Sequence, residues 1–218
     1  MVQSFAAAYV GDALWINRED DAGDAGLRTS KLQYRPAGMG KKVHIAVGNE
    51  LTHLDRIPRL ESARLVLDGI GSGDAAAYDR LCLDDDRNRW WGYDYRQDLK
   101  GELTEDYFLQ VAQHDFAKRW AVNFAIRLDG KLIGEAVMYN VDWRGGIELG
   151  CRIAPEYAGH GYGTEAFAAA AEWGLYGLLM ERVVAKCYKE NTASYKMLSS
   201  CMRKTGEDEN FFYFEKTV

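Results

Sequence analysis

Cysteine is scarce in this chain of 218 residues, which holds four: Cys82, Cys151, Cys187 and Cys201. They are too few and too scattered for a disulfide framework or a metal knuckle, and they point to a reduced compartment. Basic charge is also short, with 27 Lys and Arg against 33 Asp and Glu and a net charge of −6. That balance provides no footprint for a nucleic-acid backbone, so no nucleic-acid partner is expected. No apolar run approaches the roughly 20 residues of a membrane span, and no positively charged segment precedes Ala6–Ala8 as in a signal peptide. A cytoplasmic protein with no membrane partner is expected.

What is present suffices for one generous domain and an arm. A chain of this size buries roughly 70% of its unfolded surface, enough for a core without staples. Residues 1–57 read as an N-terminal extension of unknown role and 58–218 as the folded domain. In the extension, Arg18–Gly26 is a charged, Gly-rich loop between two short apolar runs, Ala13–Ile16 and Val43–Val47, either of which suits a strand.

From Arg59 onward the periodicities are clearer. Ala63, Leu65 and Leu67 alternate with Arg64, Val66 and Asp68, the period of a half-buried strand. Asp74–Cys82 suits a short helix, Asp84–Tyr95 is an aromatic-rich connection, and Thr104 opens a second helix. Val122, Phe124, Ile126 and Leu128 share one strand face, and Asp129-Gly130 is a two-residue hairpin turn into Lys131–Tyr139. Ile147, Leu149, Cys151 and Ile153 form a further strand. Phe167, Ala170, Ala171, Gly174, Leu175 and Leu178 recur with helical spacing, and their small size lets that helix lie close to a sheet. Val183–Tyr188 reads as a strand, Asn191 opens a last helix, and Phe211–Phe214 ends the series. The pattern is α/β (α+β), with a strand–glycine loop–helix–strand unit at its centre.

That loop is Gly159-His160-Gly161-Tyr162-Gly163-Thr164. Alternating glycines at a strand-to-helix turn let successive amides point into one concavity, a site for an anion such as a pyrophosphate. A tight turn that only packs helix on sheet would look the same. The loop is not a P-loop, since no lysine follows Gly163. Nor is it a dinucleotide fingerprint, since its third glycine comes one residue early. No Ser/His/Asp or Cys/His order suggests an acyl-enzyme, and no metal spacing is present.

Glu148 through Ala166 resembles the acetyl-CoA loop of the GNAT superfamily of N-acetyltransferases, and is most similar to the branch that acetylates the N-terminal alanine of ribosomal proteins. The signature Arg/Gln-x-x-Gly-x-Gly/Ala corresponds to Ala158–Gly163, and Asn191-Thr-Ala-Ser194 resembles the Asn-x-x-Ser/Ala helix that follows. The resemblance covers roughly three-quarters of the chain. It implies a mixed, mostly antiparallel central sheet of six to seven strands flanked by about four helices. It also implies acetyl-CoA as co-substrate and an amine acceptor, either a protein N-terminus or a small molecule, with a homodimer allowed for. Two departures stand out. Ala158 replaces the usual Arg or Gln, and Ser199–Arg203 replaces the usual Gly-Phe.

The resemblance assigns the oxyanion donors to backbone near Cys151, Arg152 and Ile153. It assigns the pyrophosphate to Gly159, His160, Gly161, Tyr162, Gly163 and Thr164, with His160 alternatively a solvated loop residue. Asn191 and Ser194 would border the pantetheine arm. Glu148 is the expected general base, by virtue of its place on the strand leading into the loop, unless it is only a strand-face carboxylate paired with Arg152. Glu135 on the neighbouring strand is the rival. Tyr195, one turn after Asn191, is a candidate acid in place of the tyrosine that Leu198 displaces, or simply packs. Asp84–Asp86 with Trp90, Trp91, Tyr93 and Tyr95 would suit a cationic amine, or form a solvated loop with two aromatics tucked into the core. The alternatives are a non-catalytic acyl-CoA-binding module that acts as a sensor, and an interaction scaffold that binds no CoA.

Overall fold

The structure, a computed structural model, describes residues 25–33, 50–92, 94–99 and 101–218. The runs Ala13–Ile16 and Val43–Val47, most of Arg18–Gly26, and Tyr93 lie outside the described residues. The chain divides into two compact units, Met1–Ala46 and Val47–Val218. In the first, α1 spans Ala25–Leu32. The boundary falls before residue 58 because Leu51, 2% exposed, belongs to the core of the second unit, with Leu54 and Ile57 against it.

The second unit is built on one eight-stranded sheet: β1 Leu60–Glu61, β2 Val66–Gly69, β3 Ala121–Leu128, β4 Lys131–Tyr139, β5 Gly146–Ile153, β6 Arg182–Tyr188, β7 Arg203–Glu207 and β8 Phe211–Thr217. Their order is β1-β2-β3-β4-β5-β6-β8-β7. Every pairing is antiparallel except β5 with β6. The exception follows from the connection, since parallel neighbours need a crossover and α5, Tyr162–Tyr176, provides it. The other helices are α2 Ala75–Cys82, α3 Asp85–Trp91, α4 Tyr107–Ala117 and α6 Thr192–Cys201.

Strand alternation sorts the core into two layers. Val122, Phe124, Ile126, Met138, Ile147 and Leu149 meet Phe167, Ala170, Ala171 and Leu175 of α5 on one face. Ala125 meets Tyr78 and Leu81 of α2 and Phe108 and Ala112 of α4 on the other. The small residues of α5 are required by the closeness of the sheet. A Cβ at Gly174 would stand 2.5 Å from Met138 Cε and 2.8 Å from Val183 Cγ2. The hairpin turn is as expected, with φ of 49° at Asp129 and 78° at Gly130.

Three elements differ from expectation. The strand read over residues 63–67 begins at Val66, because Ser62 N–H donates to the Leu65 carbonyl at 2.9 Å and closes a hairpin turn with β1. The connection after Asp84 is the helix α3, whose Asp84 side chain accepts from the Arg87 amide and whose end is Gly92 at φ 82°. The exposed edge strand β7 carries no apolar signal. With β1 and β7 the sheet reaches eight strands rather than six or seven, and the described residues of the second unit hold five α-helices where about four were expected. Among the described residues no helix is long and apolar enough to cross a membrane.

Gly174→Leu is expected to destabilise the protein by about 1–3 kcal/mol in urea denaturation, because overpacking outweighs the roughly 1 kcal/mol of helix propensity gained.

Candidate active site

β5 and β6 pair only through Gly146, Ile147 and Glu148 with Arg182, Val183 and Val184. Beyond that rung β5 continues with β4 as far as Ile153, and β6 continues with β8 as far as Tyr188. The sheet therefore forks. The Ala154 amide donates to the Ile133 carbonyl at 2.8 Å, so ladder alternation turns the Arg152 and Gly150 amides toward β4. The amides of Cys151 and Ile153 point to the opposite edge, where β6 has departed.

A cavity of about 520 Å³ occupies the fork. Glu148, Leu149, Gly150 and Cys151 line it from β5, Ala185 to Tyr188 from β6, and Asn191, Ser194 and Leu198 from α6. Trp90, Trp91, Tyr95, Trp120 and Phe211 complete an aromatic wall. Tyr188 joins that wall, with its ring centroid 5.8 Å from Trp90 and 4.4 Å from Phe211.

Glu148 sits on the last paired rung, with its side chain 14% exposed. The Tyr139 hydroxyl donates to Oε1 at 2.9 Å, Asn140 Nδ2 donates to Oε2 at 3.1 Å, and Lys186 Nζ lies 3.3 Å from Oε1. Its partners are these and not Arg152. Burial, and then the charge of Glu148, push the Tyr139 hydroxyl well above its usual value, so it stays a donor.

Glu135 and Arg152 are on the same sheet face but serve a different centre. Glu135 is fully buried and outside the cavity lining. The Arg152 guanidinium pairs with it, and Tyr78 donates to its Oε2 at 2.7 Å. Arg152 also donates to Asn88 Oδ1 at 2.8 Å and lies 4.5 Å over the Trp91 ring. This group is therefore a buried strut against α3 and its tryptophan: the Glu135 carboxylate, expected as the rival base, does not reach the cavity, and the Arg152 amide, expected among the oxyanion donors, faces β4. Tyr195, one turn after Asn191, takes the packed alternative. Its ring centroid is 4.8 Å from Phe212 and 5.9 Å from Phe214, it does not line the cavity, and Leu198 does.

The glycine loop follows the short turn Pro155–Tyr157. Gly159 at φ 80° and Gly161 at φ 79° need the left-handed region, and Gly161 starts α5 with no side-chain cap. The amides of Tyr162, Gly163 and Thr164 thus begin the helix uncapped, and nothing stands within 4 Å of a Cβ on Gly159. That open concavity and the unpaired β5 edge fit the diphosphate and the pantetheine arm of an acyl-CoA. None of Gly159–Thr164 lines the cavity itself. His160 is exposed, with its Nδ1 3.3 Å from the Tyr157 carbonyl and its ring stacked on Tyr162. Asn191 caps α6 by accepting from the Ser194 amide at 3.0 Å.

The family model for the acetyltransferase (GNAT) domain matches residues 64–201. The chain belongs to the GNAT acetyltransferase family. Acetyl-CoA is its co-substrate, and the family moves an acetyl group from it to amines. The GNAT chain is 30% identical over 123 residues to the uncharacterized N-acetyltransferase YnaD of Bacillus subtilis, covering 55% of this chain and 68% of that one. Solved structures with the same fold include RimJ of Mycobacterium smegmatis in complex with CoA-disulfide, at TM-score 0.59 and 20% identity, covering 75% of this chain and 88% of that one. Another is spermidine N-acetyltransferase from Vibrio cholerae in complex with CoA and spermine, at TM-score 0.60 and 15% identity, covering 72% and 96%.

Sequence reasoning missed Tyr139, Asn140, Lys186 and Trp120, which no motif marks and which only the strand register and the α4–β3 turn bring to the cavity. It also gave no sign of the thiol environment. Burial, and then the Glu135 charge, push the Cys82 and Cys151 thiols up to about 12. Both are protonated at neutral pH.

Two outcomes are expected. At pH 8 iodoacetamide leaves Cys82 and Cys151 unlabelled in peptide mass maps of the folded protein. Arg152→Met lowers unfolding stability by about 3–5 kcal/mol by stranding a buried carboxylate, and adding Glu135→Gln recovers most of that loss.

Proposed function

We propose that this GNAT domain transfers acetyl directly to a primary amine carried on an apolar or aromatic body, with Glu148 as proton acceptor. The observation that carries the reading is the position of Glu148 at the fork, facing the aromatic wall beside the unpaired β5 edge. Bound acetyl-CoA supplies the activated thioester. The Cys151 and Ile153 amides would donate to the thioester oxygen, a task that main-chain groups held in a ladder perform without reorganisation. Asn191 has its carbonyl oxygen engaged in the cap, which leaves its Nδ2 as a donor toward the pantetheine arm, with Ser194 beside it. Gly159, Gly161, Tyr162, Gly163 and Thr164 hold the diphosphate through backbone, and His160 stands at its rim.

An arriving ammonium is attracted by the carboxylate and by the faces of Trp90, Trp91 and Trp120. It reacts only after losing a proton, and Glu148 accepts it. Each carboxylate oxygen has more than one acceptor site, so Tyr139, Asn140 and Lys186 orient the group without filling it.

The test is turnover by CoA thiol release across a panel of primary amines of graded apolar size. The reading expects activity on monoamines with apolar or aromatic bodies. For the best of them, Glu148→Gln lowers kcat about 10²-fold or more while KM for acetyl-CoA stays within a factor of two. Wild-type kcat in Glu148→Gln removes Glu148 as the base.

A further inference from the structure

Arg64 lies 94 residues before Ala158, in the turn between β1 and β2, yet its guanidinium rests on the glycine loop. Its Nη1 donates to the His160 carbonyl at 3.1 Å, and its Cζ lies 4.6 Å over the Tyr162 ring. Nη2 stands 3.5 Å from where a Cβ on Gly161 would be, at the mouth of the left-handed turn that opens α5.

Glu165 sets this position. Its Oε2 accepts from Arg64 Nε at 2.7 Å, and its Oε1 accepts from the Arg64 amide at 2.7 Å and the Ser62 hydroxyl at 2.8 Å. Burial works to raise the Glu165 carboxyl, but these donors outweigh it and hold it below the usual carboxylate range. The planar guanidinium is thus fixed through Nε, and its rigidity leaves the Nη2 proton on the side away from Nε without a partner among the described residues. Among the described residues Nη2 makes no hydrogen bond, and the side chain is 46% exposed. A simple latch between the β1–β2 hairpin and α5 uses Nε and leaves Nη2 idle. The signature position of the loop, meanwhile, is Ala158, which has no polar side chain to offer.

We propose that Arg64 is the phosphate-binding side chain of this site, donating through Nη2 to the cofactor diphosphate and so substituting for the missing Arg or Gln at position 158. The proposal rests on the reading of Gly159–Thr164 as the diphosphate cradle.

The test compares acetyl-CoA with S-acetylpantetheine, which carries the same thioester but no diphosphate, using the full chain. In Arg64→Met the preference for acetyl-CoA, as a ratio of kcat/KM values, falls about tenfold, the size of one lost charge-assisted hydrogen bond. Arg64→Lys recovers part of the preference, and Ala158→Arg in the Arg64→Met background recovers most of it. Equal losses with both thioesters mark Arg64 as a structural latch and overturn the proposal, as does a ratio unchanged from wild type. A wild-type enzyme with no preference for acetyl-CoA overturns the reading of the loop instead, and the proposal with it.

Discussion

Three rungs of parallel pairing between β5 and β6 control everything at the site. Where those rungs end, the two strands remain tied to their outer partners, β4 and β8, and must diverge. Divergence leaves main-chain amides in a partly enclosed cleft without a ladder partner. Buried amides demand acceptors, so such a cleft is tolerated where water or a ligand can supply them. The same fork lifts Glu148 to the floor of the cavity and lets α6 approach from the side. The unpaired β5 edge, the Glu148 carboxylate and the cavity therefore share a single geometric cause.

The acceptor wall depends on a second, buried interaction. The Glu135–Arg152 pair binds Asn88 of α3 and supports the Trp91 ring, which lies over Gly150 and would meet a Cβ there at 3.3 Å. Buried ion pairs contribute little net stability, but each partner is costly to strand, so the arrangement is held to one geometry. A carboxylate that looked like a rival base thus shapes the site from below. Glu148 differs because its rung opens to the cavity, whereas the rung of Glu135 is covered by α2 and α3.

The hairpin at Asp129-Gly130, the α5 stripe, the Asn191 cap and the glycine loop were all legible, because each rests on contacts within a few residues. The helix α3 was not, since its Asp84 cap and Gly92 stop were hidden among charged and aromatic neighbours. Nor was the exposed strand β7, which buries nothing and so leaves no periodicity. The strand of Glu148 and the turn of the glycine loop could be read from the sequence. Tyr139 and Lys186 could not, because they reach Glu148 only through the registers of β4 and β6 against β5.

Local periodicity, turn chemistry and the spacing of glycines determined from sequence alone most of the elements, the family resemblance and the glycine turn, since these depend on near neighbours along the chain. Tertiary structure alone decided which carboxylate faces the cavity, which tyrosine donates to it, and that Arg64 arrives at a loop almost a hundred residues away. Those outcomes are set by strand register and by where the sheet forks, and a register is a relation between distant segments that neither segment carries by itself.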